Sequence, residues 1–298
     1  MKRSSEILLS FLRAGLGGEK PSLPSDMGPG DWFNLFTDSC GQAVQGVVFD
    51  AVALFEDEVP SELLVSWKRV VANLEDTYAL MGNAVTMEME KWRENGIETV
   101  LLKGLESASF YPHPEHRVNG DIDLWLPRKE DWGKARSVLE ERGIDFKLDS
   151  DGDMAYGVGG GIVVELHREG LRMDGPAGVL LLLCEHILHH AMVFGVGLRQ
   201  ICDYRLALEH YKGTDVEVEF REAATDRGLG KWLTVLDSLP EPFLEIVLED
   251  GNFGFSRGNR VRGIFRRLSF FMKVAPGALV KRWTSLAMGR VRKLLGRS

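Results

Sequence analysis

Asn119-Gly120-Asp121-Ile122-Asp123-Leu124-Trp125-Leu126 is the stretch on which the fold turns. Asn-Gly reads as a tight turn, and the residues after it alternate polar and apolar as a half-buried strand does. Asp121 and Asp123 therefore project from one face of that strand, about 7 Å apart along the chain. Two carboxylates held that way suit hard cations with oxygen ligands. Taken alone, Asp-x-Asp describes a solvated strand edge equally well, so its neighbours decide.

Upstream, Thr99-Val100-Leu101-Leu102 is a short apolar run suited to a buried strand, and Lys103-Gly104 follows it. Glycine there permits close backbone approach, and a following helix over Leu105–Phe110 would offer free N–H groups to a phosphate. Arg117 precedes Asp121 by four residues and carries a fork suited to bidentate phosphate binding. Downstream, the spacing predicts a helix over Glu130–Arg142 and strands over Asp145–Leu148, Met154–Val158 and Ile162–His167. In the last of these, Glu165 is a charge on an otherwise apolar strand, costly to bury unless paired or metal-bound. It can serve as a third carboxylate or as a paired structural acid. Gly157-Val158-Gly159-Gly160-Gly161 lacks the order and the strand-to-helix context of a dinucleotide loop and reads as a hairpin turn.

Farther out, the pattern turns helical. Helices are expected over Ser5–Leu16, Asp31–Phe55, Ser61 to about Asn95-Gly96, Ala177–Pro240 and Leu279–Leu295. The strands thus fall in one central block. The divisions that follow are 1–95 (helical), 96–175 (α/β core), 176–255 (helical) and 256–298 (a basic amphipathic tail).

The run Leu101-Leu102-Lys103-Gly104, then Phe110-Tyr111-Pro112, Arg117, Gly120-Asp121-Ile122-Asp123-Leu124 and Val164-Glu165-Leu166-His167 resembles the bacterial uncharacterised nucleotidyltransferase family, within the DNA polymerase β-like superfamily. The resemblance continues through the helix around His186 and Arg199 to Asp203, covering about residues 60–240. It implies an α+β nucleotidyltransferase fold, a small mixed β-sheet with packed helices, flanked by N- and C-terminal helical regions. It also implies transfer of a nucleoside monophosphate from a nucleoside triphosphate (NTP) to a hydroxyl. Asp121, Asp123 and Glu165 are then the catalytic, metal-binding acids for Mg²⁺ or Mn²⁺, and Lys103, Gly104 and Arg117 bind the nucleotide. One departure stands out: the wider superfamily has Gly-Ser where this chain has Lys103-Gly104-Leu105. A nucleotide-binding module without turnover is the alternative that this departure motivates.

His186 and His190 have the spacing of a zinc pair on a helix, but no glutamate completes a metalloprotease signature, so a polar helix edge along the cleft is expected. His167 can ligate metal, orient Glu165, or stand as a satisfied half-buried histidine. Arg199 and Asp203, also four apart, are expected to pair on a helix surface.

The net charge of −8 conceals an asymmetry. Residues 256–298 hold twelve Lys or Arg and no acid, which leaves 24 basic against all 44 acidic residues in the rest. The acidic body disfavours long nucleic acid as acceptor and leaves a small molecule or a protein. The basic tail has the composition of a membrane-surface or partner-binding helix, or of a segment packed on the acidic body. Three scattered cysteines and the absence of a signal-peptide pattern (Glu6 and Arg13 interrupt the first apolar stretch) point to the cytoplasm.

Overall fold

The computed structural model describes residues 2–148, 152–171, 173–193 and 195–250, with Phe270 and Lys273 beyond them. Helices α1 (Arg3–Gly15), α2 (Pro29–Gly41) and α3 (Gln45–Val52) lead through a 3-10 turn, Ala53–Glu58, into the long α4 (Ser61–Glu94). The helical pattern expected over Asp31–Phe55 is broken at Ala43, whose φ of 55° separates α2 from α3. Strand β1 (Val100–Leu101) and the one-turn α5 (Leu105–Ala108) follow, then β2 (Ile122–Trp125), α6 (Asp131–Glu141), β3 (Phe146–Leu148), β4 (Met154–Gly157) and β5 (Val163–His167). The chain closes its described part with α7 (Gly175–Val193), α8 (Leu198–His210), α9 (Asp215–Asp226), α10 (Gly230–Ser238) and α11 (Glu241–Asp250). The helix expected over Leu279–Leu295 lies outside the described residues.

The strands form one mixed sheet in the order β1-β2-β5-β4-β3. β2 and β5 run parallel at its centre, and every other neighbour is antiparallel. The glycine run Gly157–Gly161 is the hairpin turn joining β4 to β5, closed by Val158 N–H donating to Ile162 O. Entry to the sheet is set by the end of α4. There Gly96, at φ 64°, lets its own N–H reach Arg93 O and the Ile97 N–H reach Trp92 O, a left-handed stop that a residue with a Cβ resists.

Two apolar cores result. Met81, Val85 and Trp92 of α4 pack with Ile122, Leu124, Val164 and Leu166 of the sheet and Leu139 of α6. Ile122, Leu124, Val164 and Leu166 are each no more than 1% exposed. Burying each contributes about 1.5–3 kcal/mol. That burial fixes the register, because a one-residue slip would turn the charged face inward. The larger core gathers α1–α3, the first half of α4 through Trp67 and Val71, and α7–α11, with Phe270 stacked on Phe243 at 5.8 Å. α4 is common to both. The sheet core also holds a buried charge: Glu88, 1% exposed, accepts from Lys91, Arg142 and the Tyr156 hydroxyl, at 2.8, 3.2 and 2.9 Å.

Candidate active site

The register that buries the even-numbered residues of β2 and β5 puts the odd ones on the opposite face, and of these Asp123 lines a cleft. Asp123 lies opposite Glu165, and Trp125 opposite His167. Asp121, just ahead of β2, continues the same face. Lys103-Gly104, Arg117 and Gly120 complete the sheet-side wall, while Leu183, His186 and Ile187 of α7 and Arg199, Gln200 and Asp203 of α8 form the other. Gly104 has φ 83°, and nothing nearer than Asp121 O at 3.6 Å meets a Cβ built there. It is therefore the backbone angle, not crowding, that calls for glycine at the bend delivering Lys103.

Asp123 is 1% exposed and meets two cations at one oxygen: Lys103 Nζ at 3.2 Å and His167 Nε2 at 2.8 Å. Burial alone would raise its pKa, but the His167 hydrogen bond and the Lys103 charge outweigh it and hold the carboxyl below its usual range. Glu165 moves the opposite way, pushed up by burial and then by the negative charges of Asp121 and Asp123. His167 donates also from Nδ1 to Asp153 Oδ2 at 2.8 Å, and the second oxygen of Asp153 accepts the Arg168 N–H at 2.9 Å. Burial opposes its charge, yet the hydrogen bonds to Asp123 and Asp153 raise the imidazole to about 9.

Ligand atoms of Asp123, Glu165 and His167 lie within 4.8 Å of one another. Asp121 stands outside that tight group, at the mouth of the same cleft. The three carboxylates fit a hard divalent cation such as Mg²⁺ or Mn²⁺, which takes oxygen donors, while His167, donating from both ring nitrogens, orients Asp123 instead of adding a ligand. Asp153 was not readable as a site residue. It immediately precedes β4, and only the antiparallel register of β4 with β5, Met154 opposite Leu166, brings it beside His167.

Arg117 lines the cleft, but its fork is occupied. Nε and an Nη atom donate to the two oxygens of Asp203, both at 2.7 Å, and the other Nη reaches Asn119 Oδ1 at 2.6 Å. The Tyr111 hydroxyl donates to the same Asp203 at 2.7 Å. Asp203 is thus a buried partner of Arg117, 86 residues away, and not the surface partner of Arg199 that their spacing suggests. Arg199 instead donates to Val118 O at 3.1 Å. His186 packs against His190 with ring centroids 4.2 Å apart and the rings tilted by 43°; burial, and then the Lys103 charge, keep it neutral, so it lines the cleft as an uncharged polar edge.

With this geometry in view, a family model described as "Uncharacterised nucleotidyltransferase" matches residues 29–178, half of the chain. The chain belongs to that family. The match covers every acid of the sheet-side wall and stops before the α7 and α8 residues that face them. No curated protein matches the chain. No solved structure matches it either. Among the described residues no helix is long and apolar enough to cross a membrane.

Proposed function

We propose that this family member is a metal-dependent nucleotidyltransferase that moves a nucleoside monophosphate from an NTP to a hydroxyl of a small molecule or protein. The observation that carries the proposal is the pairing of Asp123 with Glu165 on adjacent parallel strands, with Asp121 on the same face and Lys103 beside them. Asp121, Asp123 and Glu165 would hold Mg²⁺ or Mn²⁺, which when bound supplies charge neutralisation for the phosphates and for the departing pyrophosphate.

Lys103 meets the phosphate oxygens from the bend at Gly104. The acceptor oxygen bonds to the α-phosphorus as the bond to pyrophosphate breaks, and its proton passes to a carboxylate. Glu165, opposite Asp123 on the neighbouring strand, is the carboxylate we assign to that task. Asp153 fixes which way His167 faces, and His167 in turn steadies Asp123. Arg117, with its fork on Asp203, contributes by holding the cleft together. The residue ranges 1–95, 96–175, 176–255 and 256–298 are our proposed divisions, and the three free cysteines fit a reducing cytoplasm.

Incubation with labelled NTPs, Mg²⁺ or Mn²⁺ and a panel of hydroxyl acceptors tests the assignment. Nucleotide and Mn²⁺ binding is expected in the wild type and lost in Asp121→Ala/Asp123→Ala. Wild-type protein that binds no nucleotide, or a variant that binds as well, would sink it. The absence of the superfamily's Gly-Ser from the stretch Lys103-Gly104-Leu105 favours a second reading, nucleotide binding without turnover. Pyrophosphate release dependent on an acceptor rules that one out.

A further inference from the structure

The cleft has a charge imbalance on its helical wall. Three cations border it, and two are spoken for: Lys103 lies 3.2 Å from Asp123, and Arg117 grips both oxygens of Asp203. Arg199 has no ion pair among the described residues. The one hydrogen bond of its side chain runs from a single Nη atom to a neutral acceptor, Val118 O at 3.1 Å. Asp203, four residues on, has no oxygen left unused, since Tyr111 and Arg117 take Oδ1 and Arg117 takes Oδ2. The main chain at Arg199 is anchored as well, its N–H donating to Gln42 O at 3.4 Å. The neighbouring His186 is uncharged and hydrogen-bonds to no described residue, so it does not compete for an anion.

This half-buried guanidinium lines the cleft with a carbonyl as its one hydrogen-bonded side-chain partner, and Asp203 and Asp121 act on it only at a distance. Burial and then the charge of Arg117 lower the proton affinity of Arg199 by more than Asp203 and Asp121 raise it, so its surroundings under-compensate the charge. A planar fork of N–H donors is the side chain best matched to a phosphate group. Opposite it stand the acids that suit a divalent cation. A ligand satisfying both walls is an extended polyanion, metal-bound on one side and arginine-bound on the other.

We propose that Arg199 binds the β- and γ-phosphates of the NTP, the portion that leaves as pyrophosphate, and that Arg117 serves the wall and not the substrate. The assignment rests on the nucleotidyl-transfer reading above, and it places the phosphate-binding arginine outside the stretch 29–178 that the family model covers.

Inorganic triphosphate is a base-independent probe. Titration calorimetry of the full chain, first with Mn²⁺ alone and then with triphosphate in saturating Mn²⁺, separates the two walls. Arg199→Gln should weaken triphosphate at least tenfold while leaving Mn²⁺ affinity and melting temperature at wild-type values. Arg199→Lys, which keeps the charge and loses the fork, should fall between, and it carries the test if the Gln variant fails to fold. Arg117→Gln should show its main effect in melting temperature. Triphosphate binding by both Arg199 variants as tight as wild type overturns the assignment alone. So does a loss of Mn²⁺ binding equal to the loss of triphosphate. Wild-type protein that binds Mn²⁺ but no triphosphate removes this assignment and the nucleotidyl-transfer reading together.

Discussion

Consider Arg117→Met and Asp203→Asn, separately and combined. Both side chains are buried, at 6% and 4% exposure, and are joined by two parallel bonds of 2.7 Å. Removing one member strands the other's charge out of water, which typically costs about 3–5 kcal/mol. Met at 117 leaves Asp203 with the Tyr111 hydroxyl as its remaining side-chain partner and should sit within that range. Asn at 203 keeps one carbonyl oxygen for the guanidinium, so about 3 kcal/mol is expected. Since a domain's whole stability is about 5–15 kcal/mol, either change should be plain. The double variant holds neither charge and should be less damaged than the two costs added, with a coupling of about 2–3 kcal/mol. Urea unfolding followed by tryptophan fluorescence reads this, with Trp67 and Trp232 reporting from the larger core and Trp92 from the sheet core. Single losses below about 1 kcal/mol, or losses that simply add, would refute the buried clamp and return Arg117 to the pool of free phosphate ligands.

His116 bridges Asp50 at 2.6 Å and Glu75 at 3.1 Å, with Glu115 and the His113 ring alongside, and the Asp50 hydrogen bond leads in raising it from 6.5 to about 9. Its folded-state affinity for a proton exceeds the unfolded one, so the stabilisation is full below pH 6.5 and disappears as pH rises through about 9. At about 1.4 kcal/mol per tenfold change in affinity the ceiling is roughly 3 kcal/mol, and with Glu75 half exposed about 1–2 kcal/mol is expected. Urea unfolding across that range should show a decline in wild type that is shallower in His116→Gln, the remainder belonging to His167, whose imidazole is also raised to about 9. Tyr156→Phe removes a donor to buried Glu88 and the acceptor of the Trp92 indole N–H, so a loss of about 1–3 kcal/mol should appear in the same assay. Gly104→Ala has room for its methyl group but not the right backbone angle; about 1–3 kcal/mol of strain should show as a lower melting temperature, with weaker triphosphate binding as Lys103 shifts.

Local signals carried most of the fold. The alternation after Asn119-Gly120, the apolar run ending at Leu102 and the glycine-bounded strand ending at His167 each announced a strand within a residue or two of its observed ends. Gly96 and Gly143 marked the ends of α4 and α6, because a left-handed stop selects one residue type. The break at Ala43 was invisible, since alanine is an ordinary helix former and tertiary packing imposes its φ of 55°. Within the site, the acids could be read because strand periodicity alone puts Asp121 with Asp123 and Glu165 with His167. Asp153 and the Arg117–Asp203 pair could not, for each depends on a contact between segments far apart in the chain. Spacing on a single helix favoured Arg199 for Asp203, and burial beside Tyr111 and Arg117 prevailed over it.

α4 runs unbroken over Ser61–Glu94, about 50 Å at the usual rise, and lends its first half to one core and its second half to the other. In mechanical terms it is a beam with a body fixed at each end, and the cleft is the gap on one side of it. The Arg117–Asp203–Tyr111 cluster and the Arg199–Val118 hydrogen bond are existing ties across that gap. A polyanion gripped by the acids of one body and Arg199 of the other would add a further tie and close the frame into a ring. Amide hydrogen exchange should then slow in β2 and in α8 together when triphosphate and Mn²⁺ are added, although those elements belong to different cores.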